Sequence, residues 1–327
     1  MQFSFTSDQQ QFAAGLREML EREFTAAHLR SVWESGAGND PALWARLAEM
    51  GVLSMMLPES DGGMGGSFVD TILLVEELGR AAVPGPVFET MTVGALSLRG
   101  MQWASGIADG SIAITAALMG ERYVPHASVS DVVLLADHGR VRALEVAQLN
   151  VIAVEGIDHG RHLATLSGTE TGGHFVGVDL DSATDAGSLA AAAYLLGLSS
   201  RMLAIAGDYA RDRRQFGQPI GSFQAVKHLM ADALLKVEFA RPAVYRAAWS
   251  HATDNENCAR DVSMAKALAS DAAQKAARSA LQVHGAIGYT WECDLQLFMK
   301  KAWALMPAWG SASYHRRRVS DAVLGPR

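Results

Sequence analysis

Cysteine is almost missing: Cys258 and Cys293 are the only two in 327 residues, which rules out a disulfide framework and leads to the expectation of a reducing cytoplasm. Basic residues are outnumbered. Against 35 Asp and Glu stand 28 Lys and Arg, and the formal net charge of −7 lacks the cationic footprint of a nucleic-acid-binding protein. Long hydrophobic runs are scarce as well; the longest, Leu189–Leu198, is too short to span a bilayer. The opening MQFSFTSDQQQF has neither a basic n-region nor an apolar h-region, so no signal peptide is expected. The ten histidines show no HExxH or comparable ligand spacing, and no metal site is indicated. Internal repeats and low-complexity segments are absent. What is plentiful is apolar material, 49% of the chain, enough to build a large core shared by two or three subdomains.

The first ~110 residues carry helix signals. Ser7-Asp8 reads as a cap for a helix whose apolar residues Phe12, Leu16, Met19 and Leu20 share one face. Trp44, Leu47 and Met50 mark another, stopped by Gly51. Four glycines between Pro58 and Gly66 disfavour helix, and Ser67 then caps a longer one through Ile72, Leu73, Val75, Leu78 and Ala81. Helix continues weakly past Pro84 and Pro86 to Leu98. Residues 111–183 change character: Ser111–Ala117, Val132–Ala136, Val141–Leu144, Val151–Val154 and His174–Val178 are short runs, mostly rich in β-branched residues, separated by turn residues. They predict a small antiparallel β-domain. From 184 to 327 the pattern is helical again, broken at Gly217–Ser222, His251–Asn257 and Gly285–Thr290, which predicts a four-helix bundle and an α+β fold overall.

One stretch concentrates unusual requirements. In Asp208–Asp232 a helical run meets Arg213 and Arg214, is broken at Phe216-Gly217, passes a turn at Pro219, Gly221 and Ser222, and resumes as helix behind Phe223-Gln224. Arginines at such a corner present planar forks of donors, and a following helix N-terminus adds free N–H groups, a combination suited to a phosphate or carboxylate. From spacing alone, a solvated face of Arg211, Arg213 and Arg214 is the plainer account.

Arg213-Arg214-Gln215-Phe216-Gly217 with Ile220 and Phe223-Gln224 resembles a signature of the acyl-CoA dehydrogenase family. Gln282-Val-His-Gly-Ala-Ile-Gly-Tyr-Thr-Trp-Glu292 is similar to that family's Gln-x-x-Gly-Gly-x-Gly-[Phe/Tyr] segment. Leu57-Pro-Glu-Ser-Asp-Gly-Gly-Met-Gly-Gly66 and Val75-Glu-Glu-Leu-Gly79 match its N-terminal domain. The matches occur in family order over most of the chain. The fold this implies is an N-terminal all-α domain (1–110), a shortened middle β-domain (111–183) and a C-terminal helical bundle (184–327). The implied cofactor is FAD, its ring held by the middle domain of one subunit and its ADP half by the bundle of a neighbour. The residues corresponding to the ADP half are Arg213, Gln215, Phe216 and Gln224, with Gln282, Val283, Gly285 and Ala286 on the adenine side; Ala286 stands where a second glycine is usual.

Two parts of the family pattern are missing. The Thr-Glu-Pro-x-x-Gly-Ser loop that contacts the ring in cis is reduced to Thr115 within Ile114-Thr115-Ala116-Ala117-Leu118. The glutamate that takes the α-proton of the acyl-CoA falls, counted from Gly288-Tyr289, on Trp309; the family's alternative position corresponds to Ser188. Neither is a base for a carbon acid. Glu292 is a stand-in by type, with a capping or pairing role for Glu292 and Asp294 the simpler account; His284 reads as a hydrogen-bonded spacer, and Arg316-Arg317-Arg318 as a solvated helix end. The expectation is a non-catalytic subunit of a heteromeric α2β2 acyl-CoA dehydrogenase acting on a steroid-derived CoA thioester, a class that Tyr289–Leu295 resembles, with electron-transfer flavoprotein as acceptor. The alternatives are a homo-oligomeric enzyme using Glu292 and a non-enzymatic scaffold.

Overall fold

The computed structural model describes residues 4–325 and begins with helices where caps and apolar spacing call for them. Helix α1 (Ser7–Glu23) opens on Thr6, one residue ahead of the expected cap, because Gln9 closes a capping box with it. Helices α2 (Ala26–Ser35) and α3 (Pro41–Glu49) follow; Asp40 caps α3 and Pro41 occupies its first position. The glycine segment then folds tightly over Leu57, so tightly that a Cβ on Gly63 would lie 2.2 Å from the Leu57 carbonyl oxygen. Ser67 caps α4 (Phe68–Arg80) as expected, in a box closed by Asp70. Past Pro86 the weak helix signal resolves into a π-helical turn, Glu89–Gly94, leading into the short α5 (Ala95–Ser97) and then α6 (Ala104–Asp109).

Strands follow: β1 (Ile114–Ala117), β2 (Val132–Asp137), β3 (Arg140–Glu145), β4 (Asn150–Val154), β5 (Leu163–Ser167) and β6 (His174–Asp179). One sheet has the order β1-β2-β3-β6, and β4 pairs with β5 in a separate hairpin. The expectation of a wholly antiparallel domain needs one correction. β1 runs parallel to β2, Ile114 opposite Val132 and Ala117 opposite Leu135, because the chain between them crosses back over residues 118–131 instead of turning directly. β5 was not foreseen; LATLS has no clean alternation and one β-branched residue.

The bundle contains three long helices, α7 (Leu180–Asp212), α8 (Gln224–Ala252) and α9 (Cys258–His284), and two shorter ones, α10 (Leu295–Leu305) and α11 (Ala312–Leu324), in place of four long ones. α7 is the axis of the molecule. It touches α4 through backbone: a Cβ on Gly197 would meet the Glu76 carbonyl oxygen at 2.0 Å, and one on Gly79 the Tyr194 carbonyl oxygen at 2.2 Å. Of the described helices it alone is long and apolar enough to cross a membrane, yet 78% of its most apolar window is buried by neighbouring helices. A polar clasp completes the junction with the N-terminal domain: Arg241 pairs with Glu76, which also accepts the Tyr245 hydroxyl at 2.8 Å, while Arg17 and Glu77 tie α1 to α4 within that domain.

Candidate functional site

At one end of the bundle α7 stops at Arg213, whose N–H still reaches the Tyr209 carbonyl at 2.8 Å. The chain then makes a minimal hairpin from β7 (Arg214–Gln215) and β8 (Gln218–Pro219). Its two-residue loop, Phe216-Gly217, has φ of +53° and +79°, the both-positive requirement of a type I′ turn. Glycine meets that requirement freely, whereas phenylalanine bears about 1–2 kcal/mol of strain. No packing offsets it: the Phe216 ring is 91% exposed, with only an edge contact to Phe223 at 6.2 Å. α8 starts directly behind, with no side chain capping its first N–H groups.

The second segment arrives beside this corner. α9 ends at His284, Gly285 takes φ +62°, and Gly285–Tyr289 forms a 3-10 turn. Tyr209 stacks on His284 with ring centroids 4.4 Å apart and planes 18° from parallel, which joins the two ends. His284 Nδ1 pairs with the Ala280 carbonyl at 2.8 Å, so it is the spacer expected of it. Tyr209 was missed; its place one helical turn before Arg213 was the available signal. Arg213, Gln215, Phe216, Gln224, Gln282, Gly285 and Ala286 are all exposed, whereas Val283 is buried in the core and cannot offer its side chain to a ligand. Among the described residues the side chains of Arg213, Arg214, Gln215, Gln224 and Gln282 make no hydrogen bond or ion pair. Several other arginines of the bundle are paired, Arg211 with Asp208, Arg316 with Asp271, and Arg318 with Asp185 at 2.6 Å, whereas Arg278 and Arg317 are not. These pairs account for two of the three arginines of α11.

The region beside β1 is the opposite. Thr115 is fully buried and its hydroxyl donates to the Pro125 carbonyl at 2.6 Å, which commits its one donor hydrogen. Next to Pro125, the interior between the three parts of the molecule is packed with Glu89, His126, Asp158, Arg161, Tyr194 and Lys301 around a cavity of ≈ 20 Å³, about one water in size. Burial pushes the Glu89 carboxyl up to about 7 and drives the His126 imidazole well down, favouring the neutral form of each.

The two positions assigned to the base meet in space. Ser188 Oγ donates to the Trp309 carbonyl at 3.1 Å, and the Trp309 indole lies on Gly187, where a Cβ would approach the ring to 2.2 Å. Trp309 is 3% exposed and held in the left-handed region at φ +56°. Its carbonyl also pairs with His315 Nε2 at 2.8 Å, while Lys266 Nζ donates to the Met306 and Gly310 carbonyls at 2.9 and 3.0 Å. Burial pulls Lys266 down to about 7 and His315 to about 4, and no carboxylate is bonded to this loop. Glu292 is exposed, and hydrogen bonds from its own backbone and from Thr290 hold its carboxyl below the usual range. Asp294 pairs with Arg30 at 2.7 Å, the pairing role expected.

Comparison with known proteins agrees with this architecture. The family model for the acyl-CoA dehydrogenase N-terminal domain matches residues 6–101 and that for the C-terminal domain residues 181–324. The chain is 33% identical to acyl-CoA dehydrogenase IpdE2 of Mycolicibacterium smegmatis over 94% of its own length and 96% of the relative's. Its fold matches a chain of the steroid ACAD Tcur3481-Tcur3483 with a TM-score of 0.90 at 24% identity, covering 97% of this chain and 98% of that one. A chain of the ChsE4-ChsE5 complex from Mycobacterium tuberculosis matches with a TM-score of 0.87 at 24% identity, over 100% of both.

Proposed function

Since the chain belongs to the acyl-CoA dehydrogenase family, whose cofactor is FAD, we propose that it is the non-catalytic subunit of a heteromeric member, lending the ADP-side half of an FAD site to a homologous catalytic partner. The observation that carries this reading is the contrast within one chain: five unpartnered polar side chains exposed at the bundle end, and a cis region whose polar groups are buried among themselves. Bound FAD supplies the oxidising power for α,β-dehydrogenation. In this chain Arg213 meets the diphosphate with a fixed cation, the uncapped start of α8 adds N–H donors, and Gln282 with Gly285-Ala286 receives the adenine side. Phe216 then has a reason to be strained and bare, since its ring is held ready for a surface that another subunit brings. Leu235 and Phe239, one helical turn apart and exposed on α8, give that subunit an apolar strip to cover. The steroid ACAD among the similar structures supports a steroid-derived CoA thioester, bound by the partner, and the reading takes electron-transfer flavoprotein as the electron acceptor.

The test is flavin stoichiometry by absorbance. The chain purified alone should be colourless and, purified with its catalytic partner, yellow at about one FAD per heterodimer. A full complement of FAD in the lone chain defeats the proposal. In the complex, Arg213→Ala should release FAD, since a charge-assisted contact contributes about 1.5–3 kcal/mol; unchanged occupancy would count against Arg213.

A further inference from the structure

We propose that Arg30, on α2 in the N-terminal domain, is a positioning residue for the adenine-side turn Gly285–Tyr289, acting through the segment Thr290–Asp294. This rests on the ADP-side reading of that turn and adds a third contributor to it.

The turn has little to hold its own shape. Only Gly288 is buried, at a point where a Cβ would come within 2.8 Å of Leu281, while Ile287 is half exposed and Tyr289 almost fully so. Beyond its own 3-10 bonds and those of Thr290 to the Ile287 carbonyl, its placement depends on its two ends. The upstream end is the Tyr209–His284 stack. The downstream end is a clamp around Trp291: the guanidinium of Arg30 donates to the Trp291 carbonyl at 2.5 Å and to Asp294 Oδ1 at 2.7 Å, and Gln296 Nε2 reaches the same carbonyl at 2.7 Å. Lys300 Nζ lies 4.1 Å from the centroid of the Trp291 ring and 5.2 Å from that of Trp33.

Trp33 explains why α2 is a firm base for the clamp. It follows Arg30 by three residues and so shares its helix face. Its indole N–H donates to Asp158 Oδ1 at 3.1 Å, and its ring stacks on His159 with centroids 4.8 Å apart. One face of α2 is thus pinned to the middle domain by Trp33 and to the bundle by Arg30. A planar fork suits the second task, because it serves a carbonyl and a carboxylate at once; an ammonium at the same place reaches one of them well. Without the fork the turn samples other shapes, and a ligand must order it on binding, which weakens affinity and leaves the fold intact.

The experiment uses the heteromer with wild-type partner and FAD as probe, comparing Arg30→Ala, Arg30→Lys and Arg213→Ala, with hydrogen exchange on the full chain. Arg30→Ala should weaken FAD binding about tenfold, the equivalent of one charge-assisted hydrogen bond, and speed exchange selectively at residues 286–293. Arg30→Lys should recover part of both. Asp294→Asn, a milder break, should shift both in the same direction by less. If Arg213→Ala loses FAD and Arg30→Ala does not, the positioning role is wrong. If both bind FAD as wild type does, the ADP-side reading itself fails. Exchange that rises throughout the chain in Arg30→Ala, with Asp294→Asn unchanged, would make Arg30 a general structural residue and overturn the proposal.

Discussion

Two regions of this chain, the hairpin end of the bundle and the interior beneath β1 and Trp309, treat polar groups in opposite ways. At the hairpin end Arg213, Gln224 and Gln282 reach into solvent without partners, and a phenylalanine is held in a backbone conformation better suited to glycine. In the interior Thr115, Ser188, Lys266 and His315 are each bonded to a neighbouring carbonyl. Buried polar groups left unpaired cost about 1–3 kcal/mol each, a cost these four avoid, although Glu89 Oε2, His126 Nδ1 and Asp158 Oδ2 in the same interior have no hydrogen-bond partner. Polar groups left uncommitted outside are satisfied by water and add little to stability, which leaves them available to a ligand. One region is closed on itself, and the other is the half of the proposed FAD site that stays open to solvent.

That contrast can be broken at several points. Trp309→Ala removes a buried indole from a site that relaxes poorly against Gly187, and should cost about 3–5 kcal/mol, seen as a lower midpoint in urea. Trp309→Glu, tested for turnover, should give none, because the loop that contacts the ring in cis is still reduced to Thr115; measurable dehydrogenation would overturn that reading. Next in size is the pH dependence of Glu89. Its carboxyl is raised from 4.5 to about 7 in the fold, so the folded state holds a proton that the unfolded chain has lost, and this contribution to stability declines as pH rises through that window. Stability of wild type relative to Glu89→Gln should therefore fall by up to about 3 kcal/mol between those values and stay flat above them. The comparison cancels His126, Asp158, Arg161 and Lys301, which remain in both proteins. A difference that did not change with pH would mean that Glu89 ionises freely. The smallest effect is the most telling. Phe216→Gly relieves left-handed strain and loses almost no packing, so the free chain should melt within about 1 kcal/mol of wild type, offset by the entropy of glycine. The heteromer should weaken all the same, and a variant that destabilised the free chain instead would show that the ring serves its own fold.

Much of this architecture was legible in the sequence because its signals are local. Ser67 ahead of the apolar spacing from Ile72 to Ala81 announced α4, and β-branched runs announced five of the six strands of the middle region. The parallel pairing of β1 with β2 was not legible, since strand direction depends on where a loop carries the chain. The turn at Phe216-Gly217 could be read as a break and no further: a type I′ hairpin with phenylalanine in its first position violates the residue preference that would have revealed it. Arg213 and Gln282 could be singled out by resemblance, but their adjacency depends on the Tyr209–His284 stack, a contact between residues far apart in the chain. Ser188 and Trp309 stood as separate readings of one missing role, and only the fold shows that they touch.

Gly187 sits in one uninterrupted helix and Arg213 follows directly on its last residue, and that has a mechanical consequence. At 1.5 Å per residue, the 33 residues of α7 make a rod of about 50 Å. Near its start the rod is wedged by the Trp309 ring, along its middle Gly197 seats it against α4 with backbone touching backbone, and at its end it carries the arginine. A rod gripped at two such points can neither slide nor roll without a steric collision. The filled interior is therefore the abutment that fixes the height and heading of Arg213, so that closing one site sets the aim of the other.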